Sequence, residues 1–344
     1  MQSILHFSYL LPFRYPFQIA GNRIKTHQPT FIIHFKKDGL TGYGEAPAIN
    51  YYNISVEEME ADLQAHLKEL NLANFSHPEE YYELLVQLFP HNSFLRCALD
   101  MAVWDWFGKL SKIPLHKMWQ FPWENIPVTD YTIGIDSLEA MKRKMKENPA
   151  PIYKIKMGFK EDLELFGHLI KGSKSRFRID VNEGWTKAEA IQKIKKLNDT
   201  GIELIEQPIA KKDWKGMQEI MQQAHMPIFA DESCVDERDV ALCANSFHGI
   251  NIKLTKCGGI TPALRMVKEA HNFGLYVMMG SMNESTIGTA AVAHFLPQLD
   301  FVDMDGPLLL KQDLAKGLTF TDGIAQLSSK PGLGIELLGH LNTN

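Results

Sequence analysis

The second half of this chain alternates short apolar, β-prone runs with longer stretches of mixed polarity, and a charged residue closes nearly every run. Ile152-Tyr153-Lys154-Ile155-Lys156 ends on Lys156. Phe177-Arg178-Ile179 leads into Asp180, Ile202-Glu203-Leu204-Ile205 into Glu206, and Ile228-Phe229-Ala230 into Asp231. Ile250-Asn251-Ile252 leads into Lys253, and Phe301-Val302 into Asp303. These charges stand 24, 26, 25, 22 and 50 residues apart, the last step being two units. One strand, one helix and two turns occupy about 25–30 residues in a (β/α)8 barrel of ~250 residues. The rhythm therefore predicts an α/β barrel with its charged residues at the carboxyl ends of the strands, where such barrels carry out catalysis.

The remaining runs complete the count. Val128 to Ile135 reads as the first strand and Leu138 to Lys146 as the helix after it. Tyr276 to Met279 supplies the seventh strand, ending at Gly280 and Ser281. Eight strands and seven or eight helices then fit within residues 126–320. Thr186 and Glu189 have the spacing of a capping box, opening the helix after Asp180. Gly172, Gly201 and Gly274 fall where helix C-caps are needed. Residues 1–125 lack the rhythm. Strands are expected to about residue 50, with Phe31-Ile32-Ile33-His34-Phe35 β-prone and Lys36-Lys37-Asp38-Gly39 signalling a turn. Helices follow, one capped by Ser55 and Glu58 and another running from Ser93 to Lys109. Pro114, Pro122 and Pro127 mark a connection. The expected division is an α+β domain (1–125), a barrel (126–320) and a C-terminal segment (321–344) returning to the first domain.

Length and composition narrow the classes. A chain of 344 residues accommodates two domains. Its 45% hydrophobic and 22% charged content is that of an ordinary soluble globular protein. A net charge of -5 provides no basic footprint, so no nucleic-acid partner is expected. No apolar run reaches the ~18 residues of a membrane span, and none is expected. The apolar N-terminus is broken by His6, Arg14 and prolines, so it does not read as a signal peptide. Cys97, Cys234, Cys243 and Cys257 show no C-x-x-C spacing and are expected as reduced thiols of a cytoplasmic protein. No glycine-rich phosphate fingerprint follows an early strand, so nucleotide and redox chemistry have no support.

Barrel closure brings Asp180, Glu206 and Asp231 together on consecutive strands. Three such carboxylates repel one another, and each is costly to bury alone. A divalent cation resolves both problems. An all-oxygen set without His or Cys favours Mg²⁺, with Mn²⁺ as a substitute, over Zn²⁺. Separate solvated loop acids are the plainer alternative, and they account less well for three consecutive strands. Lys156 precedes the acids by one strand and Lys253 follows by one, so the two flank the metal. A lysine beside a cation in a partly dry pocket is expected to fall from a pKa of about 10.4 toward neutrality and so become a base. Two facing bases can take a proton from one face of a carbon and return one to the other, with the metal stabilising the enediolate between. Simple snorkelling at a strand end is the alternative for each lysine. Lys154 shares a face with Lys156 and is expected to hold a substrate carboxylate or to depress the pKa of Lys156.

These residues carry a resemblance. Lys154-Ile155-Lys156, Asp180-Val181-Asn182, Glu206-Gln207-Pro208, Asp231-Glu232-Ser233 and Asn251-Ile252-Lys253 with Gly258-Gly259 resemble the muconate-lactonizing subgroup of the enolase superfamily. A Lys or His base with Mg²⁺ is the known pattern of that superfamily rather than a deduction from spacing. Gly42-Tyr43-Gly44-Glu45-Ala46 and Ala98-Leu99-Asp100-Met101-Ala102-Val103-Trp104-Asp105 resemble its capping domain, so the likeness spans nearly the whole chain. It implies a (β/α)7β modified TIM barrel under an α+β capping domain, with loops from the cap closing the site. It also implies Asp180, Glu206 and Asp231 as metal ligands, Asn182 and Glu232 beside them, and Lys156 and Lys253 as the catalytic pair.

Asp303-Met304-Asp305 resembles the Asp-x-Asp motif of dipeptide epimerases, whose two acids bind the α-ammonium of the N-terminal residue. Alternate residues share a face, and paired carboxylates suit an ammonium group; a polar turn before Gly306-Pro307 is the alternative. Thr132 matches a substrate-contact position of that family, and Gly280-Ser281-Met282-Asn283 its seventh-strand loop. The implied substrate is a dipeptide with its carboxylate on Mg²⁺ and Lys154 and its ammonium on Asp303 and Asp305. In the Ala-Glu epimerases a cap-loop arginine reads the glutamate side chain. The loop here, Gln18-Ile19-Ala20-Gly21-Asn22-Arg23, carries one residue more. That shifts Arg23 out of register and points to Ala-containing dipeptides with a small or apolar second residue. The alternatives are L-Ala-D/L-Glu epimerisation, a β-elimination or cycloisomerisation (as in o-succinylbenzoate synthase), and a non-catalytic small-molecule binder. Homo-oligomers are common in the group, although no residue here signals one.

Overall fold

The computed structural model of the chain describes residues 2–19, 23–197 and 201–339. At the N-terminus β1 (Ser3–Ile19), β2 (Arg23–Lys37) and β3 (Leu40–Pro47) form an antiparallel sheet with β2 in the centre. Asp38 and Gly39 turn the chain between β2 and β3, both with positive φ, as a two-residue hairpin loop requires. The helices α1 (Val56–Leu72), α2 (Pro78–Leu88) and α3 (Ser93–Leu110) complete this cap. Ser55 and Glu58 form the capping box that their spacing predicts. α3 is buried on all sides. A Cβ on Gly42 would lie 1.9 Å from the Ala102 carbonyl oxygen, and one on Gly44 1.9 Å from that of Ala98. The Gly-x-Gly strand and the Ala-x-x-x-Ala helix are thus one packing device, in which missing side chains let two backbones touch.

A short helix, α4 (Leu115–Met118), leads to the barrel. Its elements are β4 (Tyr131–Ile133), α5 (Leu138–Glu147), β5 (Ile152–Lys156), α6 (Asp162–Ile170), β6 (Arg176–Asp180), α7 (Lys187–Leu197), β7 (Ile202–Glu206) and α8 (Trp214–Met221). Then follow β8 (Ile228–Ala230), α9 (Glu237–Cys243), β9 (Gly249–Ile252), α10 (Leu254–Cys257), α11 (Ile260–Asn272), β10 (Tyr276–Gly280), α12 (Thr286–Ala293), β11 (Phe301–Asp303) and α13 (Gly306–Leu309). The strand pairs β12 (Ala315–Lys316) with β15 (Glu336–Leu337), and β13 (Leu318–Thr321) with β14 (Ile324–Leu327), end the fold.

Strands β4 to β11 pair in parallel in chain order, the arrangement that right-handed βαβ units produce. The fold is α/β, a (β/α)7β modified TIM barrel with an α+β cap. The first strand is shorter than the run from Val128 to Ile135 predicts. Only Tyr131–Ile133 pair with β5, while Thr129 bridges across the barrel seam to Val302. Side chains continue that seam: Met304 N donates to Thr129 Oγ1 at 2.9 Å, and Thr132 N to Asp305 Oδ2 at 2.5 Å. Asp305 thereby replaces a ladder carbonyl.

Strand alternation sorts the side chains. Ile155, Ile179, Ile205, Ile250 and Ile252 belong to the large core beneath the helices. Leu204, Phe229 and Met278, with Phe301 packed on them, form a separate apolar cluster, consistent with a plug inside the barrel. The cap docks through two acids. Asp100 of α3 accepts from Thr261 N at 2.8 Å and Thr261 Oγ1 at 2.7 Å, at the start of α11. Glu45 of β3 accepts from Ser285 N, Ser285 Oγ and Gly288 N, at the start of α12. Helix N-termini carry unpaired N–H groups and a partial positive charge, so a buried acid is held there. Toward the C-terminus, Leu333 N donates to Asp105 Oδ1 and Leu115 N to the Gly332 carbonyl. Among the described residues no helix is long and apolar enough to cross a membrane. All four cysteines are buried and unbridged.

Candidate active site

The register of β5, β6 and β7 sets Lys156 beside Asp180 and Asp180 beside Glu206. Asp231 and Lys253 each follow the last residue of a strand, β8 and β9. Asp180, Glu206 and Asp231 are buried. Lys156 Nζ lies 2.5 Å from Asp180 Oδ2, and Lys253 Nζ 2.7 Å from Asp231 Oδ2. Lys154 Nζ reaches three acids, Asp180 at 3.0 Å, Glu206 at 2.6 Å and Asp303 at 2.6 Å. The predicted acids and lysines are therefore brought together, with the acids on the strands between Lys156 and Lys253. Asn182 donates its backbone N–H to Asp180 Oδ1, accepts from Lys156 Nζ at 3.3 Å and donates from Nδ2 to Glu232 Oε1 at 3.2 Å. Asn182, Glu183 and Gln207 have positive φ at these strand ends. Non-glycine residues are held there only where surrounding structure insists, as happens at functional sites.

The charges divide unevenly. Burial pushes Asp180 up, but Lys154 and Lys156 more than offset it and hold the carboxyl at about 2. Burial also opposes ionisation of Asp231, and Lys253 and Lys256 overcome it, leaving its pKa well below the usual range. Glu206 is pushed up to about 7 by burial and by Asp180. Glu232 is pushed up to about 8 by burial and then by Asp231. The fall in pKa expected of Lys156 and Lys253 is that of a lysine beside a cation; among the protein's own groups the balance at Lys253 and Lys154 runs the other way. Burial lowers both, but Asp231 and Glu206 around Lys253, and Asp180, Asp303 and Glu206 around Lys154, hold them above the ordinary value. The anionic surroundings outweigh desolvation.

The donor chemistry of Asp180, Glu206 and Asp231, all buried carboxylate oxygen, suits a hard divalent cation, although the three do not bring one oxygen each within 4.8 Å of the others as Asp130, Asp303 and Asp305 do. Glu206 Oε2 has no hydrogen-bond donor, because Lys154 lies close but not aligned. A buried oxygen of this kind calls for a partner.

A second acidic group stands at the β11–β4 seam. One oxygen each from Asp130, Asp303 and Asp305 lies within 4.8 Å of the others. Arg178 Nη1 donates to Asp130 Oδ2 at 2.8 Å. Thr132 is anchored to Asp305 through its N–H. Ser281 N donates to the Asp303 carbonyl at 2.8 Å, and Met282 N to Glu284 Oε1 at 3.0 Å. Met282 packs against the core of the cap, and Asn283 is half-buried in the same loop. Asn22 and the side chain of Arg23 lie outside the described residues.

Several contributors carry no signal at a strand end. Lys256 Nζ sits on Asp231 Oδ1 and on the carbonyls of Asp231, Cys234 and Asn251. Asn251 Nδ2 donates to Glu206 Oε1 at 2.7 Å, in space left by Gly280, whose Cβ would lie 2.7 Å from Asn251 Oδ1. Gln207 Oε1 accepts from Asp231 N and Ser233 N. Asp130, Arg178 and Asn251 each stand two residues before a singled-out position, so strand alternation is the signal that finds them.

Fold and site together define a capped α/β-barrel enzyme. The chain belongs to the enolase superfamily. Residues 136–340 match the family described as Enolase C-terminal domain-like, and residues 2–119 the Mandelate racemase / muconate lactonizing enzyme N-terminal domain. The L-Ala-D/L-amino acid epimerase of Flavobacterium johnsoniae is 43% identical over 96% of this chain and 98% of its own. The L-Ala-D/L-Glu epimerase of Bacillus subtilis, solved as a substrate-liganded complex, superposes with a TM-score of 0.91 at 31% identity, covering 96% of this chain and 97% of that one. The dipeptide epimerase of Cytophaga hutchinsonii, solved with Mg and D-Ala-L-Val, gives a TM-score of 0.92 at 26% identity, covering 99% and 96%.

Proposed function

We propose that the protein is a Mg²⁺-dependent dipeptide epimerase acting on the α-carbon of the C-terminal residue of Ala-containing dipeptides. The observation that carries this reading is the joint arrangement of Lys156 and Lys253 across three buried acids, with Asp303 and Asp305 in the same mouth. Asp180, Glu206 and Asp231 would hold Mg²⁺, and Mn²⁺ would suit the same oxygens. When bound, the cation would draw charge from the substrate carboxylate, acidify the α-proton and relieve the anionic pull on the lysines. Lys156 or Lys253, as the free amine, takes the α-proton from its own face. The other, as the ammonium, delivers a proton to the opposite face, and the pair exchange states over one turnover. Lys154 stands between the acids and Asp303, where a substrate carboxylate would meet it. Asp303 and Asp305 would hold the α-ammonium. Thr132, Ser281, Met282 and Asn283 would border the substrate, and Asn182 and Glu232 would steady the metal side.

A small or apolar second residue is the preferred reading. The Flavobacterium johnsoniae relative, named for amino acids in general, and the Cytophaga hutchinsonii complex with D-Ala-L-Val support it. L-Ala-D/L-Glu epimerisation is the second reading, supported by the Bacillus subtilis likeness. Elimination and cycloisomerisation substrates lack an ammonium group and leave Asp303 and Asp305 without a task. The test is incubation with Mg²⁺ and pools of L,L-dipeptides in D₂O, read by mass spectrometry. A one-unit mass gain in Ala-containing members is expected, and the labelled members rank the side chains. No label in any pool, with metal bound, sinks the epimerase reading.

A further inference from the structure

We propose that Asp130 is a positioning residue for Asp303 and Asp305, supplying the negative charge that makes their pocket select a free ammonium group; this rests on the dipeptide reading above. Asp130 lies two residues before Thr132 and is 1% exposed. Its Oδ2 accepts from Arg178, while its Oδ1 is buried without a hydrogen-bond donor. That carboxylate belongs to the group whose oxygens lie within 4.8 Å of one another.

Every fixed partner of the group is already engaged. Arg178 also donates to the Val302 carbonyl and to Glu203 Oε2, so it is tied to β11 and β7 and cannot follow a ligand. Lys154 takes Asp303, and the Thr132 N–H takes Asp305. Three carboxylates meet only Arg178 and Lys154, and these cations also serve Glu203, Asp180 and Glu206, so the ionised pocket carries at least the one negative charge that an ammonium group would balance. Removing the charge of Asp130 takes one unit from that excess. Asp303 and Asp305, each already partnered, then have less reason to prefer an ammonium to an uncharged amide. Like charges this close cannot all ionise cheaply in a buried site. A proton therefore resides among the three acids and leaves when an ammonium group arrives. The directions agree: burial and then Asp303 push Asp130 well up, and the same two causes push Asp305 up to about 7.

The test is titration calorimetry of the full chain with Mg²⁺, using L-alanyl-L-alanine and N-acetyl-L-alanyl-L-alanine. Each titration is run at pH 7 in two buffers of different ionisation enthalpy. The parent protein is expected to bind the free amine at least about tenfold more tightly than the acetylated probe and to release protons on doing so. Asp130→Asn keeps the shape and the acceptor for Arg178. It is expected to lose about tenfold on the free amine, little on the acetylated probe, and most of the proton release. A purely structural role would weaken both probes alike and leave the proton count unchanged. Equal binding of the two probes by the parent protein, or binding of neither, overturns the dipeptide reading itself. Discrimination that Asp130→Asn retains in full overturns the role of Asp130 alone. Should that variant not fold, the parent decides: an ammonium bound with no proton released from pH 6 to 8 overturns the inference.

Discussion

Two clusters of three buried carboxylates share the mouth of this barrel, and they differ in what neutralises them. Asp180 and Asp231 each receive a lysine of their own, Lys156 and Lys253, and Glu206 shares Lys154. At the seam, Asp130 has Arg178, Asp303 has its share of Lys154, and Asp305 has a backbone N–H. The consequences divide each cluster. Asp180 stays ionised down to about 2, Asp231 lies well below the usual range and Asp303 is lowered beside Lys154, whereas Glu206 and Asp305 are pushed up to about 7 and Asp130 well up. The first cluster thus keeps two permanent anions and the seam cluster one. The balance of nearby cations against nearby acids decides this, because desolvation is common to all six. Lys154 links the clusters, since it reaches Asp180, Glu206 and Asp303 at once.

On the proposed reading, the largest effect comes from removing a base at the first cluster. Lys156→Ala and Lys253→Ala should each reduce epimerisation by about 10³-fold, within the range for positioned acid–base groups. Each variant retains the opposite lysine. Each should therefore still exchange the α-proton of one epimer of the C-terminal residue and not of the other. Proton NMR in D₂O, started separately from the L,L- and L,D-dipeptides, reads this directly. Exchange of both epimers by both variants would remove the two lysines from the mechanism.

A smaller effect separates the clusters by ligand. Mg²⁺ at about a hundred times its dissociation constant should stabilise the parent by ~2.7 kcal/mol, or several degrees in melting temperature. Glu206→Gln should lose that shift. Asp305→Asn should keep it while losing about 10²-fold in kcat/KM for a free-amine dipeptide. Chelation with EDTA should abolish activity in the parent, with recovery on adding Mg²⁺. If Asp305→Asn loses the thermal shift and Glu206→Gln keeps it, the two clusters have been assigned the wrong ligands.

What is legible in the sequence is what is local. The 25-residue rhythm places Asp180, Glu206 and Asp303 at strand ends, and Asp231 and Lys253 one residue beyond. The capping boxes at Ser55 and Thr186 form as their spacing requires. Properties summed over several strands are not legible in this way. Lys253 responds to acids on β7 and after β8, and no single spacing reports that their charge outweighs burial. Arg178 and Asn251 lie inside their strands and Asp130 just before β4, where a polar residue reads as ordinary strand or turn. The first strand is overestimated because its apolar pattern continues past the ladder, while side chains of Thr129 and Asp305 close the seam. The cap motifs are recognisable by likeness. Their physical reason, backbone contact at Gly42 and Gly44, exists only after folding.

The smallest effect tests the comparison at a third acid, one that has hydrogen bonds but no close cation. Asp100 is held by Thr261 and by the Ile260 N–H, and burial pushes it up to about 7 against those bonds. Its folded pKa lies above the unfolded value of about 3.9, so between those values the folded state binds more protons. Stability therefore falls as pH rises from about 4 to about 7 and is level in this contribution above that. Glu206 and Asp305, at about 7, and Glu232 and Glu284, at about 8, act in the same direction. Asp180, at about 2, acts oppositely, and its contribution is lost as pH falls from about 4 toward 2. Asp100→Asn should flatten part of the decline in melting temperature between pH 5 and 7. The amide oxygen can still accept from Thr261 N. The amide nitrogen can donate to Thr261 Oγ1, which already accepts from Trp104 Nε1 and has a second lone pair. The expected cost at pH 5 is about 1 kcal/mol or less, one neutral hydrogen bond exchanged for another. A melting curve whose pH slope is unchanged in Asp100→Asn would show that Asp100 is ionised in the fold, and that helix N-terminal N–H groups do for a buried acid what lysines do at the first cluster.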